Sequence, residues 1–144
     1  MDIPQYITVE EVKRVCSDLG IRDWTSLSDG KVTLEEAEKI LKEINVKRMP
    51  VTTDIFRQGL EVELEHGTRF QDANVTNNHP LLTGMIVLAH LKESIDYYER
   101  LEVAELEGDL LKAIIAGDLD KVRRKYRLLA DARNALALAE GNQI

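Results

Sequence analysis

Apolar residues recur at helical spacing through most of this chain. Val9, Val12, Val15, Cys16 and Leu19 make one stripe, opened by Thr8-Val9-Glu10-Glu11 and closed by Gly20. A Thr followed three residues later by Glu is a capping box, in which hydroxyl and carboxylate each satisfy an orphan backbone amide at a helix start. Thr33-Leu34-Glu35-Glu36 repeats the signal before Ile40, Leu41 and Ile44, and Pro50 lies in the linker beyond. A third helix is predicted from Thr53 or Asp54 to Gly67. Residues 67–80 are polar, with Thr76-Asn77-Asn78-His79-Pro80 as turn chemistry and Pro80 suited to the opening turn of the next helix. Residues 81–93 are apolar almost all round (Leu82, Met85, Ile86, Val87, Leu88, Ala89, Leu91), which predicts a central buried helix.

Ser94-Ile95-Asp96 interrupts the pattern, and Asp96 with Glu99 predicts a new cap. The helix that follows carries Leu101, Ala104, Gly108, Leu111 and Ile115 on one stripe. Gly117-Asp118 punctuates the chain before a last stripe of Val122, Tyr126, Leu129, Arg133, Leu136 and Ala137. No run alternates apolar and polar long enough for a strand. The expectation is an all-α fold, a small helical bundle of five to six helices with a C-terminal helical hairpin extension; residues 1–107 would form the helical domain and residues 108–144 a C-terminal helical extension packing on it or on a partner.

Composition agrees. The 144 residues include 44% hydrophobic and 31% charged positions, few glycines (8) and few prolines (3), which suits a helical globular domain with a core. The net charge of -7 argues against a dedicated nucleic-acid binder. One cysteine excludes an internal disulfide framework and suits a reducing compartment. The first residues have neither a basic nor an apolar signal region, and no apolar run reaches bilayer length. These features predict no membrane association and no export by signal peptide.

The densest candidate chemistry is split between two predicted helices. Glu63 and His66 stand three residues apart, as do His90 and Glu93, so each pair shares a helical face. Two such pairs on facing helices resemble the carboxylate and imidazole sets of bundle metal sites, suited to zinc, iron or manganese. The simpler alternative involves no cofactor: Glu63 or Glu65 hydrogen-bonds His90 and pins the two helices.

Asp29-Gly30-Lys31-Val32-Thr33 with Glu36 matches only the second half of a calcium loop. Thr25 and Leu27 would hold the first ligand positions, so a turn into a capped helix explains it better. The basic run Lys121-Val122-Arg123-Arg124-Lys125-Tyr126-Arg127 follows an acidic helix (Glu99, Glu102, Glu105, Glu107, Asp109), so an antiparallel return would pair the two. Cys16 reads as core, and no serine elbow, phosphate loop or Cys-x-x-Cys pair is present.

Residues 56–67, Asn74-Val75-Thr76-Asn77, residues 82–93 and Asp96-Tyr97-Tyr98 together resemble an uncharacterised family of bacterial and phage proteins, domain of unknown function 5661. The resemblance covers about residues 7–107, with Glu65-His66-Gly67 and Ala89-His90-Leu91 its most specific segments. It implies a small helical domain and a bacterial or phage source, and brings no activity with it. The functional expectation is a non-enzymatic assembly or interaction protein, phage-associated, that binds a protein partner or itself. Its surface would be Leu111, Ile115, Val122, Tyr126, Leu129 and Leu136. The alternative is a metal protein built on Glu63, His66, His90 and Glu93.

Overall fold

The computed structural model describes residues 6–143. Among them, all regular structure is helical: α1 (Val9–Leu19), α2 (Leu34–Ile44), α3 (Thr53–Arg69), α4 (Pro80–Glu93), α5 (Tyr97–Ile115) and α6 (Leu119–Gly141), with short 3-10 turns at Trp24–Ser26 and Gln71–Ala73. The chain forms two compact units that divide between His90 and Leu91. The boundary expected at residue 107 falls inside α5, which runs without a break from Tyr97 to Ile115.

In the first unit, local signals set the helix ends. Thr8 Oγ1 accepts the Glu11 amide at 3.2 Å, and Gly20, at φ 61°, ends α1 with amide bonds from Gly20 and Ile21 back to Ser17 and Cys16. The box predicted at Thr8 forms only in half, since the Glu11 carboxylate turns instead to Arg14 at 2.7 and 2.9 Å. At Thr33 the box is complete: Thr33 Oγ1 accepts from the Glu36 amide and Glu36 Oε2 accepts from the Thr33 amide at 2.9 Å.

The core of this unit gathers Val12, Cys16, Trp24, Ile40, Phe56, Leu60, Leu64 and Val87, all at most 2% exposed. Gly84 lets α4 come close. A Cβ there would lie 2.7 Å from Ile44 and 3.0 Å or less from Ile40 and Phe56. Thr83, Gly84, Val87, Leu88 and Leu91 are buried, but Met85 is 57% exposed and Ile86 38%. The all-round burial predicted for α4 is therefore corrected to burial of one face. Apolar residues at every position say that a helix has the means to be buried, whereas neighbours decide how much of it is.

In the second unit α5 and α6 form an antiparallel hairpin. Gly117, at φ 68°, makes the turn, and Asp118 caps α6 by accepting the Lys121 amide at 2.9 Å. At the seam, α6 uses members of the stripe expected from its sequence, whereas in place of the expected stripe α5 uses a different one. On α5 it is Leu106 and Ala113, buried, with Val103 and Leu110 half-buried between them; on α6 it is Leu129, with Val122 and Leu136 half-buried. Asp109 and Glu107 flank that stripe on either side and reach Lys125 and Arg133 at 2.7 Å each, the cross-helix pairing expected of the acidic and basic runs. The cap expected at Asp96 takes another form: its carboxylate accepts from Arg100 and Ser94 rather than from backbone amides.

Candidate functional site

Thr52 Oγ1 accepts the Ile55 amide and starts α3, which presents Glu63 and His66 one turn apart. α4 brings His90 against Glu63, with Nδ1 3.1 Å from Oε1. A carboxylate only accepts, so His90 Nδ1 is the donor in this contact. The Glu63 side chain is 14% exposed and that of His90 28%. A polar pair in such surroundings fixes the crossing of two helices, because each group alone would be costly to bury.

The other two predicted ligands do not join them in a metal centre. His66 and Glu93 are exposed. Among the described residues, no three His, Cys, Asp or Glu side chains gather as a group able to hold a metal. The i, i+3 spacing placed the members of each pair on one helical face. Only the packing decided that a single carboxylate and a single imidazole would meet.

Glu63 and His66 also line a crevice of about 280 Å³ with Phe70, Asn74, Thr83 and Ile86. A more polar crevice of about 310 Å³ lies on the other side of Asn74 and Asn78, walled by Thr25, Gln71 and Asn77. Carboxamides shape both. Asn74 Nδ2 donates to Gly67 O at 3.2 Å and to Asn78 Oδ1 at 2.9 Å; Asn78 Nδ2 donates to Trp24 O at 3.4 Å, and Asn77 Nδ2 to Ile7 O at 2.6 Å. Asn77 and Asn78 both take positive φ, 48° and 60°, the conformation asparagine tolerates best after glycine. Gly67 completes the arrangement, since a Cβ there would lie 2.1 Å from Asn78 Oδ1.

His79 follows this loop and is 7% exposed. Its Nδ1 accepts the Leu82 amide at 3.4 Å, as a cap at the start of α4. Burial pushes its pKa below 6.5, against the pull of Glu11. The sequence reading saw only turn chemistry here. Asn-Asn ahead of His-Pro signals a turn, but nothing local can signal partners at Ile7, Trp24 and Gly67.

A second missed feature is the anchoring of Glu36. Beyond the capping box it receives Arg22 through Nε at 2.9 Å and Nη2 at 2.7 Å, and the Trp24 indole at 3.4 Å. Burial pushes its carboxyl up, but Arg22, the Thr33 amide and Trp24 outweigh that and hold it down at about 2. The half-matched calcium loop is a turn resting on α3: Asp29 Oδ1 accepts the Lys31 amide at 3.0 Å, and Glu61 accepts the Val32 amide at 3.1 Å. Cys16 is buried, and desolvation pushes its thiol up, away from nucleophilic chemistry.

The six residues predicted as an interaction surface divide. Leu111 (57%), Tyr126 (62%) and Ile115 (78%) are exposed, while Leu129 is 3% exposed and Val122 and Leu136 are half-buried. Leu129 thus belongs to the hairpin's interior, which corrects its place on the surface. Ile114 (56%) and Leu119 (68%) add to the exposed set near the turn. No described helix is long and apolar enough to cross a membrane.

No curated protein and no solved structure matches this chain. The family model "Protein of unknown function (DUF5661)" matches residues 12–107, from the middle of α1 to the middle of α5 and so through the Glu63–His90 pair and the asparagine loop; the chain belongs to that family.

Proposed function

We propose that this protein is a non-enzymatic interaction module whose C-terminal hairpin receives a protein partner, in a bacterial or phage-borne assembly. One observation carries this reading. α5 has two apolar stripes: Leu106 and Ala113 are buried, while Leu111 and Ile115 on the other stripe stay 57% and 78% exposed. Exposed leucine and isoleucine in register on a helix face are the raw material of helix–helix recognition.

Placing a photo-crosslinking residue at Ile115 in the native cell tests it. A discrete adduct, lost when Leu111→Glu is added, supports the reading, whatever the captured chain. Absence of any discrete adduct overturns it.

A metal-binding reading has one observation in its favour, the Glu63–His90 contact at 3.1 Å. Two ligands do not make a structural site, which normally needs four. Stoichiometric zinc, iron or manganese on untagged protein, lost in His90→Ala, would raise this reading above the first.

A further inference from the structure

We infer that the partner of the α5 outer face is a second copy of this chain, bound antiparallel across a two-fold axis near residues 109–110. This rests on the interaction reading above and names its partner. The stripe Leu101, Ala104, Gly108, Leu111 and Ile115 repeats at alternating spacings of three and four, the seam of a two-stranded coiled coil.

Three observations single out a copy of the same sequence. First, the stripe is self-complementary in size. With the chains antiparallel, Leu111 of each copy faces Gly108 of the other, and Ile115 faces Ala104. In these four layers a large side chain meets a small one, while Leu101 lies level with residue 118, beyond the end of α5. Second, Gly108 has no role within its own chain. It stands in the middle of a 19-residue helix, where glycine is the poorest helix former after proline, yet a Cβ there would meet nothing within 4 Å. The partner's Leu111 supplies the missing reason, since a glycine leaves a seat for it. Third, the same register sets Glu105 of each copy against Lys112 of the other on one flank. Both side chains are exposed, and the opposite charges recur twice by symmetry. Among the described residues, Lys112 is held in its own chain only by Asp109 at 3.3 Å, which itself has Lys125 at 2.7 Å. On the other flank Glu107 is already held by Arg133, so it brings no bare charge to the seam.

Sedimentation of the full chain up to about 100 µM tests this, a range that detects even a weak interface of small area. The expected result is a reversible dimer, weakened at least about 100-fold by Leu111→Glu, which would place a charge in an apolar seam. Gly108→Leu should disrupt it comparably while far-UV circular dichroism shows the helices intact. Glu105→Lys, a surface change that leaves the fold alone, should weaken the dimer several-fold, and adding Lys112→Glu in the same chain should restore it. A dimer indifferent to all four changes overturns this pairing and leaves the interaction reading standing. A monomer throughout overturns self-association, and the crosslinking result then decides the broader reading separately.

Discussion

Glu36 holds its charge at 4% exposure because three donors meet it there, Arg22 through its guanidinium, Trp24 through its indole and Thr33 through its amide. A folded-state pKa of about 2, against an ordinary 4.5, contributes stability that is complete above about pH 4.5 and lost as pH falls towards 2. Glu36→Gln should therefore cost about 2–3 kcal/mol in urea unfolding at neutral pH, and much less at pH 3. Gly67 makes the opposite demand, for space rather than charge. Gly67→Ala should cost about 2 kcal/mol, because Asn78 is tied to Trp24 and Asn74 and cannot retreat from the new methyl group. Half of the Glu36 arrangement was legible beforehand. Thr33 and Glu36 are near in sequence and their spacing has a fixed geometry, whereas Arg22 and Trp24 arrive from another element.

At the scale of elements, α4 begins on a histidine used as an acceptor. With His79 pushed below 6.5 by burial, the unfolded chain takes up the proton first as pH falls. Its contribution is whole above pH 6.5 and drains away below it. The urea midpoint should fall between pH 7.5 and 5.5, and His79→Asn should flatten that slope, since an asparagine oxygen can accept the Leu82 amide without titrating. The caps at Thr8 and Thr33, the turn at Gly117, the pairing of acidic α5 with basic α6 and the inner stripe of α6 were readable from local pattern. The face that α5 turns to the seam was not. α5 carries apolar residues on two faces, and periodicity gives each the same standing; α6 packs against one of them, and the ion pairs at Asp109 and Glu107 mark which.

For the molecule as a whole, the proposed pairing of two α5 stripes would make stability depend on concentration. If two copies bind through these stripes, the melting temperature of the full chain should rise with protein concentration and stop doing so in Leu111→Glu. Zinc or manganese should leave that temperature unchanged at equimolar dose, since Glu63 and His90 alone hold such ions weakly. A marked rise, lost in His90→Ala, would count for the metal reading instead.

The sequence by itself determined the helical class, most helix ends and the chemistry available to each face, because these follow from contacts within three or four residues along the chain. Only the tertiary structure decided which faces met. It joined Glu63 to His90 while leaving His66 and Glu93 exposed, tied the asparagine loop to Ile7, Trp24 and Gly67, and buried one stripe of α5 rather than the other. The physical reason is that helical periodicity fixes where a side chain points around its own axis. The partner that comes to meet it lies tens of residues away, chosen by the packing of the whole unit.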